Sequence, residues 1–457
     1  MLLADLNYLK KETKEEVVEE VKEQTYAEKM AAKIKEKIKE KRKNDVKFNK
    51  ENDANIDMLD NFISTSVKTL SVETLSQRGE IPYWIDTKCL ALNWIISNDF
   101  KKGLPGTKAI LISGKSGTGK SLITDVFLGE NIKDGGASYK FDIEDAGTQD
   151  FTEKVMNSHE TAKRVRIITP KTLNAKTKAK DSVITIEKLN TTLNRIIDYQ
   201  VSAKKDKQIK SVMVGIDSLT QLTSAKEIEE NVKTADGKKD MTSSQKMREM
   251  FRVITQKQNQ ANMTIIGLAQ LTANIGQMRG PKTTENAKGT GFLYASSLSL
   301  QATKDKPILR KIKGGAEIPI GIKMRFKTTK NRVEYKGRDA WLHFYFDRGI
   351  DKWDGLLQLL AQFGVIKASA APDVYGDYKD TNKFTWVHPD TEEKFTFKLP
   401  TFSKIMRERE DADDLAEIWN YQINDIYEKL MEGVDEAELL GDDGPEDELE
   451  LEDQELE

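Results

Sequence analysis

A single cysteine, Cys89, in 457 residues excludes an internal disulfide framework and a cysteine-based zinc site, and fits a reducing compartment. With only three histidines, metal chemistry beyond a cation bound along with a nucleotide is not expected. No apolar run approaches the roughly 20 residues needed to cross a bilayer, and the opening Met1-Leu-Leu-Ala-Asp-Leu6 is too short for a signal-peptide core. The expectation is a soluble cytoplasmic chain with no membrane partner. Its length suggests two or three domains with ample buried core.

The net charge of −3 conceals an asymmetry. Residues 432–457 hold 14 acidic side chains and no Lys or Arg, so the remainder carries 72 basic against 61 acidic residues, a net of +11. A basic body with an acidic tail suits a polyanion partner that the tail competes with; a merely solvated tail is the plainer reading.

Against this background one stretch carries clear chemistry. Ile110-Leu-Ile-Ser-Gly-Lys-Ser-Gly-Thr-Gly-Lys-Ser121 is an apolar strand running into GxxxxGKS. Gly114, Gly117 and Gly119 let the backbone wrap a phosphate, and the peptide N–H groups of Lys115, Ser116 and Thr118 join the N-terminus of the following helix in holding it. Lys120 is placed to hold the β- and γ-phosphates and the Ser121 hydroxyl to bind Mg²⁺. The strand before and the amphipathic Leu122–Leu128 after supply the context that separates this motif from a chance glycine turn. A nucleoside triphosphate is the expected ligand.

Further strands follow. Ala137–Ile143 ends in Glu144-Asp145, at the strand end where ligands gather in an open α/β sheet. Ser211-Val-Met-Val-Gly-Ile-Asp217 is an apolar strand ending in a carboxylate able to order the Mg²⁺ shell. Thr264–Gln270, Ser297–Gln301, Ile322–Lys327 and Trp341–Phe346 read as later strands, and Val165–Ile168 as a short one. Helices are expected over Ile186–Tyr199 and Ser243–Gln260, the latter with Met247, Met250, Phe251 and Ile254 on one face. Leu219–Thr242 and Thr272–Phe292, poor in apolar anchors, read as loops. The strand–helix alternation implies an α/β fold with a mainly parallel sheet covered on both faces.

The domain boundaries expected from composition are a charged helical N-terminal extension (1–45), a linker or protomer-docking segment (46–79), the core (80–350), a small C-terminal domain (351–431) and the acidic tail (432–457). The extension is read as a solvated single helix or weak coiled coil, with contact of its basic end, Lys33–Lys43, to nucleic acid as the sharper alternative; Lys171–Lys180 is a Lys-rich loop.

With these motifs in order, the chain resembles the RecA-family strand-exchange recombinases, most closely the phage UvsX branch, over about residues 80–365. The resemblance rests on Gly114–Ser121, Phe141–Glu144, Gly215–Ser218, Asp240–Thr255, Gln270, Lys330-Asn-Arg332 and Phe346–Leu357. It implies a RecA-like P-loop ATPase core using ATP and Mg²⁺. It also implies Glu144 as general base, Gln270 as γ-phosphate sensor, and Lys330 and Arg332 as basic residues reaching a neighbour's nucleotide. The two loops fall where the family binds DNA, with Lys238, Lys239, Arg279, Lys282 and Lys288 suited to phosphates and Gly276, Gly280, Gly289 and Gly291 to close backbone approach. Implied partners are single-stranded DNA, homologous duplex DNA, further copies in a helical filament, and single-strand-binding and mediator proteins, in the host cytoplasm for a phage protein. The long extension and the 171–183 segment depart from the family pattern, and Phe62-Ile63 is the candidate protomer-docking segment. A ring helicase and a non-catalytic ATP-gated scaffold on single-stranded DNA are the competing readings.

Overall fold

The computed structural model describes residues 81–431 except 146, 171–182, 204–206, 234–241, 274–283, 287–289, 314 and 374–376, together with Ala32, Met58, Leu59 and Phe62. The extension, most of the linker, the Lys-rich loop and the acidic tail therefore lie outside the described residues.

A short pair, β1 (Trp84–Ile85) and β2 (Leu104–Pro105), flanks helix α1 (Leu90–Ser97). Then come β3 (Ala109–Gly114), α2 (Lys120–Lys133), β4 (Ala137–Asp142), α3 (Gln149–Met156), α4 (His159–Arg164) and β5 (Arg166–Ile168). The chain continues through α5 (Ile186–Ser202), β6 (Val212–Asp217), α6 (Ala225–Lys233), α7 (Thr242–Lys257), β7 (Met263–Ala273), β8 (Thr284–Asn286) and α8 (Thr290–Ala295). It closes the main sheet with β9 (Leu298–Lys311), β10 (Glu317–Asn331), β11 (Asp339–Tyr345) and β12 (Gly349–Ile350). After these lie α9 (Leu356–Gln362), β13 (Lys367–Ala368), β14 (Lys383–Val387), β15 (Lys394–Lys398), α10 (Leu399–Glu408) and α11 (Ala412–Met431).

The sheet order is β12-β11-β10-β9-β3-β7-β6-β4-β5, with β8 pairing off β7. From β9 through β5 the neighbours are parallel, whereas β9 to β12 are antiparallel. All six residues of β3 are buried, as a central strand covered on both faces requires. Ile110 and Ile112 enter one apolar core with α1, α2 and the C-terminal elements. Ala109 and Leu111 enter the other with α5 and α7, which is the period-two alternation of a strand. On α5 the buried Ile186, Leu189, Leu193 and Ile197 line one face, and Met247, Met250, Phe251 and Ile254 of α7 meet them from the other side.

Three expectations need correction. Leu219–Thr242 is not all loop: Leu219 and Leu222 are buried in the second apolar core, and Ala225–Lys233 is helical. Thr272–Phe292 likewise contains β8, hydrogen-bonded to Leu271–Ala273, and the start of α8. The strands at Ser297–Gln301 and Ile322–Lys327 are the inner parts of a much longer hairpin, Leu298–Lys311 with Glu317–Asn331; backbone pairing carries it beyond the apolar stretch that marks it in the sequence. Elements after Asp351 share an apolar core with the sheet. Asn424 joins Trp94 and Asn98 by hydrogen bonds of 2.9 and 3.0 Å, and the Arg338 guanidinium lies over both Trp94 and Tyr427 at about 5 Å.

Candidate nucleotide site

β3 and α2 deliver Lys115–Gly119 at the C-terminal edge of the parallel strands. Gly117 and Gly119 have φ of 73° and 82°, left-handed values that favour glycine. Gly114 is required for space: a Cβ there would lie 2.5 Å from the Ala302 carbonyl oxygen and 2.7 Å from Thr118 Oγ1. The Lys120 ammonium donates to the carbonyl oxygens of Gly114 (3.0 Å) and Lys115 (2.8 Å). The buried lysine is thus folded back on its own loop, whose carbonyls satisfy it where phosphate oxygens otherwise would. Burial lowers the Lys120 ammonium below its ordinary range, opposed by the charges of Asp217 and Glu144. Asp217 ends β6 and Glu144 follows the end of β4, at this same edge of the parallel strands.

The strand register brings them there. Asp142 of β4 is the parallel neighbour of Asp217 of β6, and the Ile143 N–H donates to the Asp217 carbonyl at 2.7 Å. Glu144 extends one residue further and is exposed; its Oε1 accepts a 3.1 Å hydrogen bond from Ser218 Oγ, which in turn is 2.7 Å from Thr220 Oγ1. Gln270 of β7 pairs in register with Gly114 of β3, and the strand runs on to Ala273, where it pairs with β8. Gln270 therefore stands between the phosphate loop and the second loop region.

Sequence reasoning missed two features. Lys140, on β4, is a buried ammonium 2.7 Å from Asp125 Oδ1 of α2 and 3.6 Å from Asp217 Oδ2. Burial alone lowers it, but Asp125 and Asp217 outweigh that and hold it above the ordinary lysine range, while burial pushes the Asp125 carboxyl up. A charged residue amid Tyr139 and Phe141 reads simply as strand alternation, so only the neighbouring strand and helix reveal its partners. The second is an aromatic pair, Phe151 of α3 and Phe346 after β11, with centroids 6.4 Å apart; Phe151 is partly exposed and Gly349, close to Phe346, packs near Val126 of α2.

Lys330 and Arg332 lie elsewhere. Asn331 pairs with Leu298, and Leu298 with Ile110 at the start of β3, whereas Gly114 pairs with Ala302. At about 3.3 Å per residue, the four-residue offset puts both basic residues about 13 Å along the strands from their own phosphate loop, at the opposite edge of the sheet. Lys330 Nζ donates to the carbonyl oxygens of Leu293 (2.7 Å) and Tyr294 (3.2 Å) at the end of α8, and burial with Arg332 nearby lowers its ammonium. Arg332 is exposed. Lys238, Lys239, Arg279, Lys282 and Lys288 fall outside the described residues.

For a metal, the half-buried Ser121 and Asp217 supply one hydroxyl and one carboxylate. Among the described residues no group of three or more His, Cys, Asp or Glu could hold an ion by itself. That donor set fits Mg²⁺, which takes one or two protein ligands and completes its shell with phosphate and water. No helix among the described residues is long and apolar enough to cross a membrane.

Residues 198–351 match the family model for the RecA N-terminal domain; the phosphate loop precedes the matched segment. The chain is 30% identical over 151 residues to Protein RecA of Syntrophus aciditrophicus, covering 32% of this chain and 42% of that protein. It is 31% identical over 134 residues to Protein RecA of Thermus aquaticus (29% and 38%), and 30% identical over 200 residues to Protein RecA of Parasynechococcus marenigrum (42% and 50%). The chain thus spans half or less of the length of these relatives. The α/β architecture with its mainly parallel sheet and the matched segment are consistent with a RecA-like core.

Proposed function

We propose that the chain is a DNA-dependent ATPase that forms filaments on single-stranded DNA and catalyses homologous pairing and strand exchange, in the manner of the phage UvsX branch. What supports the ATPase part is the phosphate loop Gly114–Ser121 together with the register that pairs Asp142 with Asp217 and the Ser218 Oγ–Glu144 hydrogen bond at the same strand ends. The relatives named RecA carry the recombinase part. Bound Mg²⁺, held by Ser121 and Asp217, would neutralise charge on the phosphates.

In this reading the loop amides and Lys120 hold the triphosphate, and Lys120 exchanges its two loop carbonyls for phosphate oxygens. Glu144, kept in place by Ser218 Oγ, orients the attacking water and accepts its proton. Phe151 and Phe346 offer flat apolar surface beside α2 for the base. Gln270 passes the state of the γ-phosphate along β7 toward the 274–283 segment. Because Lys330 and Arg332 face away from their own phosphate loop, they serve the nucleotide of the next copy, so ATP sits at the junction and stabilises the filament.

The test is steady-state ATP hydrolysis with and without single-stranded DNA, with the same samples imaged by negative-stain electron microscopy. Strong stimulation with open helical filaments supports the proposal and makes strand exchange the next assay. Closed rings that unwind a forked duplex would replace it with a helicase, and filaments without hydrolysis would leave a scaffold.

A further inference from the structure

The two donors assigned to the nucleotide-bound cation stand on different elements. Ser121 lies in the first turn of α2, and Asp217 ends β6. β7 separates β3, the strand that feeds α2, from β6, so two strand spacings, about 10 Å, divide them in the sheet. Backbone pairing therefore links the two donors only indirectly. α2 nonetheless comes down directly on β6: a Cβ at Gly215 would lie 3.2 Å from Thr124 Cγ2 and 3.4 Å from Leu128 Cδ1. Thr124 Oγ1 in turn donates to the Lys120 carbonyl oxygen at 2.9 Å. Glycine at this point lets the helix carrying Ser121 sit close against the strand carrying Asp217.

One side chain bridges that seam. Lys140 belongs to β4, the strand beside β6, and its ammonium lies 2.7 Å from Asp125 Oδ1 and 3.6 Å from Asp217 Oδ2. Asp125 is four residues beyond Ser121, one turn along the same face of α2. Lys140 and Asp125 are both buried, in an interior where charge contacts are far stronger than at the surface. The ammonium sits on the Oδ2 side of Asp217 and leaves Oδ1 to a cation. Outer partners of this kind orient metal ligands and tune their affinity. We propose that Lys140 is a positioning residue for the cation: its ammonium holds the Asp217 carboxylate and anchors it to α2 through Asp125, fixing the spacing between Asp217 and the Ser121 hydroxyl. This inference rests on the nucleotide reading above, in which those two residues hold Mg²⁺.

The test is equilibrium binding of a fluorescent, non-hydrolysable ATP analogue in saturating Mg²⁺ and in EDTA. The ratio of the two affinities reports how well protein and nucleotide together hold the cation, and it needs no turnover. Lys140→Met combined with Asp125→Asn removes one charge of each sign, so the net charge beside Asp217 is unchanged while the hold on its carboxylate is lost. Asp125→Asn alone keeps an amide oxygen for Lys140 and leaves the ammonium on Asp217. Calorimetry sets a temperature at which every variant is folded. In the double variant, binding in EDTA should stay near the wild-type value while the gain from Mg²⁺ shrinks about 10- to 100-fold. In Asp125→Asn the gain should be retained. A double variant that keeps the full gain would overturn the inference, since Lys140 would then only balance Asp125. Equal losses with and without Mg²⁺ would overturn it as general damage to the phosphate loop, and a gain lost equally in Asp125→Asn would assign the effect to the Asp125 charge. A wild-type chain whose binding is indifferent to Mg²⁺ would remove the cation site itself, and this inference with it.

Discussion

Replacing Lys140 by methionine keeps the unbranched stem and deletes the ammonium, so it isolates one charge in the core. Lys140 Nζ is 2.7 Å from Asp125 Oδ1, and each side chain is 7% exposed. Breaking a buried pair on one side leaves the other charge uncompensated and costs about 3–5 kcal/mol. At about 2 °C per kcal/mol for a body of this size, the unfolding temperature should fall by about 6–10 °C at neutral pH. The loss has a pH signature. Burial already holds the Asp125 carboxyl above its ordinary value, and removing Lys140 raises it further. A carboxyl raised by folding is penalised only where it must ionise, so the penalty is absent below the unfolded value of about 3.9 and grows as pH rises toward the folded value. Differential scanning calorimetry should therefore give a deficit that is larger at about pH 7.5 than at about pH 5, and adding Asp125→Asn should recover at least half of it. A drop under about 2 °C, a deficit independent of pH, or a double variant no better than the single one would refute the reasoning.

Glu144→Gln should bind ATP and DNA normally but hydrolyse about 10²- to 10⁴-fold more slowly in single-turnover assays; unchanged turnover would move the base elsewhere. Lys120→Ala and Lys330→Ala should each be inactive alone. Mixed in equal amounts they should recover up to about a quarter of wild-type hydrolysis, because random assembly rebuilds intact junctions between unlike copies; no recovery would mean both residues serve one chain's site. Gly119→Ala places a Cβ at φ 82° against Met324 Sδ and should weaken fluorescent ATP-analogue binding by at least about 1–2 kcal/mol, partly restored by Met324→Ala. His343 donates or accepts at 2.8 Å with Asp354. Burial lowers its pKa, but Asp354 outweighs that and raises it. Its stabilising charge is present below about pH 6.5 and lost as pH rises through the higher folded value, so His343→Gln should destabilise more at about pH 5.5 than at about pH 8.5 by urea denaturation.

The phosphate loop was legible because its chemistry is local: glycines, a lysine and a serine within one strand-to-helix turn, with apolar residues on both sides. The central strands were legible for a related reason, since β3 and β6 are buried on both faces and therefore apolar at nearly every position. Asp217 and Glu144 could be read as strand-end carboxylates, and Gln270 as a polar strand end. Other features depend on pairing between distant segments. Whether β9 and β10 stop at their apolar stretches or continue as a hairpin is decided by backbone hydrogen bonds, which leave no hydrophobic signature. The stretch read as loop after Leu219 contains α6 because Ser224, Glu227 and Ser243 hydrogen-bond one another across it. Lys140 and Asp125 are 15 residues apart and meet only because α2 lies against β4 and β6.

The sequence by itself determined the α/β class, the phosphate-binding loop and the basic body with its acidic tail, because periodicity, turn chemistry and charge count are properties of contiguous residues. Only the tertiary structure decided that Lys330 and Arg332 stand at the far edge from their own loop and that Lys140 is sealed between carboxylates. Those facts follow from strand register, and register is set by contacts between residues far apart in the chain.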